Sequence, residues 1–145
     1  MTILSPYIIA ILLAWAVAQG MKYVIFAVRH KTLRGFRQLY LSGNMPSAHS
    51  ASVVALLGVV ALKDGIDSSI FAVTALFAAI VMYDAIMVRR SSGEQGAAIQ
   101  QLIKEQKSTV PIPRAAKGHE PLEVVVGAAL GGVIALVVFF ATRLL

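Results

Sequence analysis

The sequence predicts an all-α integral membrane bundle of about four transmembrane helices, and three observations point to it. The 145-residue chain is 58% hydrophobic and only 14% charged. Its apolar residues fall into runs near the ~20 residues that a helix needs to cross the hydrocarbon core. Its basic residues concentrate in the connections between those runs. The size fits one domain, residues 1–145, and the composition indicates a membrane protein rather than a soluble core.

The chain has no cysteine, which excludes disulfides, thiol catalysis and cysteine-ligated metals. A net charge of +6 could indicate nucleic acid. However, the basic residues flank apolar runs and lack the aromatic interleaving of single-strand binders, so no nucleic-acid partner is expected.

Four apolar stretches are evident: Ile3–Val28, Ser47–Leu62, Ser68–Val88 and Leu122–Thr142. Met1 to Pro6 carries no basic leader region, and the run that follows is long enough to span, so the first helix is expected to be retained. The second stretch is the shortest. Pro46 suits the first turn of its helix, where a missing N–H has no partner in any case. Pro121 suits the fourth helix in the same way. The turn Lys63–Asp67 is tight, and Ser108–Gly118, with Pro111 and Pro113, reads as an irregular loop. Gly93–Lys107 is expected to form a short interfacial helix of its own.

Charge sets the expected topology. The first connection carries Arg29, Lys31, Arg34 and Arg37; the third carries Arg89, Arg90, Lys104, Lys107, Arg114 and Lys117. The opposite side has only Lys63 and Arg143. Both long connections are therefore expected in the cytoplasm and both termini outside, in a plasma membrane or its equivalent. Gly127, Gly131 and Ala135 recur every four residues, as do Ser47, Ala51 and Ala55. Small residues at that interval allow close helix approach, either inside one bundle or across a homodimer.

Up-down topology gathers the unusual polar residues at one end. Pro46, Ser47 and His49 open the second span, and Arg89 and Arg90 close the third. His119, Pro121 and Glu123 open the fourth. Lys22 and Arg29, seven residues or nearly two helical turns apart, close the first on a common face. Free N–H groups at the start of the second helix, at the positive end of its dipole, suit an anion. Asp84 lies inside an apolar run, where a carboxylate is costly and normally faces the bundle interior. It is expected to pair with Lys22 or to orient an arginine, although an ideal α-helix does not put it on the face of Arg89.

These residues resemble the type 2 phosphatidic acid phosphatase and vanadium haloperoxidase superfamily, most closely its small divergent branch with a Gly-x-Met-Pro-Ser-x-His-Ser stretch. Gly43-Asn44-Met45-Pro46-Ser47-Ala48-His49-Ser50 carries that stretch here. In the superfamily, Lys-x6-Arg-Pro, Pro-Ser-Gly-His and Ser-Arg-x5-His-x3-Asp motifs build a metal-independent phosphate site. Lys22 through Arg29 matches the first motif with His30 for the proline, and Pro46–His49 matches the second with Ala48 for glycine. His119 through Glu123 matches the end of the third, with Glu123 for the aspartate. The arginine six residues before that histidine is missing because position 113 is proline; Arg114, Arg89 or Arg90 are the candidates to replace it. Asp84, Arg89, Arg90, Gly93 and Gln95 resemble a further pattern of the divergent branch.

The resemblance implies a phosphatase of lipid phosphates or diphosphates at the cytoplasmic membrane face, with no metal and no cofactor. It implies His119 as nucleophile, Glu123 as the group holding its second nitrogen, and His49 as acid and base. It further implies Lys22, Arg29, Ser47, Ala48 and the replacing arginine around the phosphate, with Asp84 in support. Two other readings compete. One is a non-enzymatic membrane protein that binds anionic lipid headgroups. The other, a metal-dependent hydrolase, is disfavoured because Glu94, Glu105, Glu120 and Glu123 have no compact ligand spacing. Glu123 also has a simpler reading as a cap of the fourth helix.

Overall fold

The computed structural model describes residues 4–31, 45–113, 115 and 118–143. All regular elements among them are helical: α1 (Pro6–His30), α2 (Ala48–Lys63), α3 (Ser69–Tyr83), a π turn (Asp84–Val88), α4 (Arg89–Glu105) and α5 (Pro121–Arg143). Pro6 sits in the first turn of α1 and Pro121 opens α5, where the absent N–H costs nothing. Ser47 and Ser68 cap α2 and α3, each accepting from the main-chain N–H three residues on. Pro46 precedes that cap, so it stands outside the first turn of α2 rather than within it.

Among the described residues, three helical stretches are long and apolar enough to cross a membrane: Pro6–His30, Ser69–Glu105 and Pro121–Arg143. The third expected span does not stop at Arg89. The π turn joins α3 to α4 without a break, giving one helical stretch of 37 residues. At 1.5 Å per residue this stretch is roughly 55 Å long, against a hydrocarbon core of about 30 Å. The interfacial helix expected at Gly93–Lys107 is thus the far end of the third helical stretch; no proline interrupts it, and Gly93 and Gly96 are carried inside the helix. Beyond it, residues 108–113 are irregular, and Gln100 Nε2 donates to the Pro113 carbonyl at 2.7 Å.

Although α2 is shorter, with 16 residues, it is the centre of the bundle. It packs most extensively on α5, then on α1 and α3. The two small-residue stripes meet each other within the chain, side by side and in parallel. A Cβ on Gly127 would overlap the Ser47 carbonyl, one on Gly131 the Ala51 carbonyl, and one on Gly58 would meet Ala135. Backbones this close leave no room for side chains, and close packing is what holds helices together where lipid competes for apolar surface.

A further stripe, unremarked in the sequence, runs along α1: Ala10, Ala14 and Ala18 are fully buried, and Lys22 continues the four-residue interval. On the outer faces, Leu12, Trp15, Val73, Leu76, Phe77, Val125 and Phe140 are exposed, as lipid-facing residues should be. At the end remote from the histidines, the Tyr7 hydroxyl donates to Asp64 at 2.7 Å, tying the start of α1 to the close of α2. Gly65, at φ +86°, makes the turn that follows, a backbone conformation that glycine adopts without a steric penalty.

Candidate active site

The first turn of α5 holds the tightest arrangement of polar groups. His119 is 4% exposed, and its Nδ1 lies 2.8 Å from Glu123 Oε2. The same carboxylate oxygen accepts the main-chain N–H of Glu120 at 3.2 Å. Glu123 is therefore both a capping group, reaching back from the third helical position, and the partner of the histidine. The two readings of Glu123 describe one oxygen. With Nδ1 engaged by a carboxylate, the lone pair of the neutral ring resides on Nε2.

The α2 terminus lies against this turn. Ser47 N–H donates to the Glu123 carbonyl at 3.0 Å. Ser47 is fully buried, and its Oγ accepts from the Ser50 N–H at 3.3 Å and the Ser50 hydroxyl at 2.9 Å. Its side chain thus builds the helix end. The N–H groups of Ala48 and His49, in the first two helical positions, have no acceptor within the helix. His49 is exposed. Arg89, His119, Lys22 and Asp84, from the other elements of the site, lie within electrostatic reach of its ring.

Lys22 arrives on the buried face of α1, within electrostatic reach of Glu123. Together with Arg29, Phe26, His30, Met45, Glu120 and Glu123 it lines a cavity of about 490 Å³. The two cations seven residues apart on α1 thus share one wall. His30 is exposed, and its ring lies tilted against that of Phe26 with centroids 4.4 Å apart. A second cleft, about 750 Å³, opens on the other side of the α5 terminus between Arg90, Gly93, Glu94 and Ala97 of α4 and the segment Gly118–Leu122. His119 lies on its wall.

Asp84 and Arg89 form an ion pair at 2.5 Å, contrary to the expectation from an ideal α-helix. The reason is the π turn. Arg89 donates its N–H to the Asp84 carbonyl five residues back, so residues five apart share a face here. Arg90 pairs with Glu94 at 3.1 Å on an exposed face. Both arginines considered as replacements open α4: Arg89 acts electrostatically on His49, and Arg90 lines the second cleft with His119. Arg114, the other candidate, lies outside the described residues, as do Gly43, Asn44, Arg34 and Arg37.

Two contributors escaped the sequence reading because they act through main chain. The Ala85 carbonyl, inside the π turn, accepts the His119 N–H at 3.2 Å. Gly118 lies so close to the main chain of Arg90 that a Cβ would overlap it. A pair of polar residues five apart in an apolar run, and a glycine directly before the histidine, were the only signals of either.

Comparison with known proteins identifies the family. A family model described as "Divergent PAP2 family" matches residues 4–134. The "uncharacterized membrane protein YuiD" of Bacillus subtilis (strain 168) is 42% identical over 114 residues, covering 68% of this chain and 72% of the relative. No solved structure matches significantly. With apolar helices long enough to span, a relative that is a membrane protein, and a family match over nearly its whole length, the chain is an integral membrane protein belonging to the divergent PAP2 family.

Proposed function

We propose that the protein is a metal-independent phosphatase of lipid phosphates or diphosphates, working through a phosphohistidine on His119 at the cytoplasmic membrane face. The observation that carries this reading is the buried His119–Glu123 pair, with Lys22 in electrostatic reach of Glu123 and His49 in reach of His119. A carboxylate on Nδ1 fixes the tautomer, leaves Nε2 as the nucleophile and supports the positive ring that forms.

In the proposed reaction the Nε2 lone pair attacks phosphorus while the bond to the leaving oxygen breaks. His49, as imidazolium, gives that oxygen a proton and becomes neutral. It then takes a proton from water as the water oxygen attacks the phosphohistidine, releasing phosphate and restoring the His119 ring. Lys22, Arg29 and Arg89 or Arg90 stabilise the charge on the phosphoryl oxygens, together with the N–H groups of Ala48 and His49. The basic residues of the long connections support the cytoplasmic placement, where the headgroup of a lipid held in the bilayer would meet the helix ends. Asp84 supports by holding Arg89 in place.

Purified protein in detergent, given radiolabelled lipid phosphates, tests the reading. Phosphate release that persists in EDTA, and is lost in both His49→Ala and His119→Ala, is the expected result. Release that survives His119→Ala overturns the histidine mechanism, and headgroup binding with no release at all supports a non-enzymatic lipid-binding protein instead.

A further inference from the structure

The phosphohistidine reading places demands on the orientation of His119, and the structure holds that residue from an unusual direction. In a continuous α-helix, the Ala85 carbonyl would accept the N–H of Arg89, four residues on. Through the π turn Arg89 turns to Asp84 instead, and the Ala85 carbonyl accepts the N–H of His119 at 3.2 Å. The connection that carries His119 thus uses an acceptor made available by the helix irregularity. One residue earlier, Gly118 rests against the Arg90 main chain so closely that any Cβ would overlap the Arg90 Cα and N atoms. Ala85 is itself buried, and α5 packs on the π turn. The ring is fixed from the other side by Glu123 at 2.8 Å. The same turn that receives the His119 main chain brings Arg89 to Asp84.

We propose that the π turn Asp84–Val88 and Gly118 form a main-chain cradle that aims the His119 ring, which makes Gly118 a positioning residue. The proposal rests on the phosphohistidine reading for its consequence, and on the geometry alone for its existence. An ordinary α-helical turn would retain the Ala85 carbonyl and would rotate Arg89 away from Asp84. A side chain at position 118 would push the connection off α4 and carry the His119 ring with it. Loss of aim of about 1 Å is enough to cost roughly 100-fold in rate while leaving substrate binding nearly intact.

The experiment compares wild type, Gly118→Ala and Gly132→Ala as full-length protein in detergent. Gly132 has open space where a Cβ would go and serves as the control. Each is measured for lipid phosphate hydrolysis and, with ¹⁵N-histidine labelling, for the downfield Nδ1 proton that His119 shares with Glu123; the chain has only three histidines, which keeps the spectrum simple. Gly118→Ala is expected to lower kcat about 100-fold with KM within about threefold of wild type, and to shift or lose the His119 proton. Gly132→Ala is expected to match wild type in all three. A Gly118→Ala protein that keeps both its kcat and its proton overturns the cradle. Should Gly118→Ala fail to fold, amide exchange on wild type decides: slow exchange at the His119 N–H supports the bond to Ala85, and exchange at the rate of a free amide overturns it. Should wild type release no phosphate, the phosphatase reading fails, and the proton and amide measurements still judge the cradle.

Discussion

The main-chain N–H of Ser47 donates to the carbonyl of Glu123 at 3.0 Å. This bond ties the start of α2 to the first turn of α5, and each of those helix ends carries one of the two histidines of the candidate site. Their relative position is therefore set by backbone, and Gly127 is what allows it: a Cβ at that position would overlap the Ser47 carbonyl.

Gly127→Ala is accordingly expected to separate α2 from α5 and to destabilise the fold by about 1–3 kcal/mol, the range for overpacking a well-filled interior. Unfolding by SDS titration or heat, followed by circular dichroism, measures it against Gly132→Ala, which is expected to unfold like wild type. Equal stability of the two variants would contradict the close parallel packing of α2 and α5.

Glu123 has two tasks that substitution separates. Glutamine at the third helical position still reaches back to the cap N–H, but it brings no charge to the imidazolium. Glu123→Gln is expected to unfold within about 0.5 kcal/mol of wild type and to hydrolyse lipid phosphate at least about 100-fold more slowly. Glu123→Ala is expected to lose the activity and, in addition, about 1 kcal/mol of stability. Initial rates and denaturation curves on the same preparations distinguish the two effects.

The identity of the cation that replaces the missing arginine of the third motif is also open to test. Arg89 lies within electrostatic reach of His49 and is held by Asp84, whereas Arg90 pairs with Glu94 on an exposed face. Arg89→Gln is expected to lower kcat/KM about 100-fold and Arg90→Gln by less than about tenfold. Steady-state kinetics with one lipid phosphate settles the order; the reverse order would assign the role to Arg90.

Orientation is testable without background labelling, because the chain has no native cysteine. Asp67 lies in the turn between α2 and α3, and Ser108 lies just beyond the 37-residue helical stretch. In intact cells, a membrane-impermeant thiol reagent is expected to label Asp67→Cys and to leave Ser108→Cys unlabelled until the cells are opened. The opposite pattern would place the histidines outside and rule out a cytoplasmic site.

Periodicity and charge made most of the fold legible in the sequence. The apolar runs gave α1, α2, α3 and α5 to within a few residues, and the intervals at Gly127, Gly131, Ser47 and Ala51 foretold a close contact whose two sides proved to be each other. What went unread was the continuation of α3 into α4. Arginines after an apolar run mark the edge of the membrane, not the end of a helix, and Ser91, Ser92 and Gly93, residue types that often close a helix, are carried inside this one. The pairing of Asp84 with Arg89 was unreadable for a related reason, since side-chain spacing is interpreted at 3.6 residues per turn and the π turn changes that count. His119, Glu123, His49 and Lys22 were visible as polar residues gathered at one end of the apolar runs, and their expected roles came from the motifs they resemble. The carbonyl of Ala85 was not, because main-chain acceptors leave no mark in composition.

The alanine ladder of α1 has a consequence for how this helix tolerates change. Each residue advances an α-helix by about 100°, so Ala10, Ala14, Ala18 and Lys22, four residues apart, follow one slowly winding ridge that stays buried. A single residue added or removed between Ala18 and Lys22 would leave the contacts of Ala10, Ala14 and Ala18 in place and turn the rest of the helix by about 100°, swinging the ammonium group off the buried face. The helix would still insert, still pack and still look intact, with the polarity of the interior rewritten by a change of angle alone.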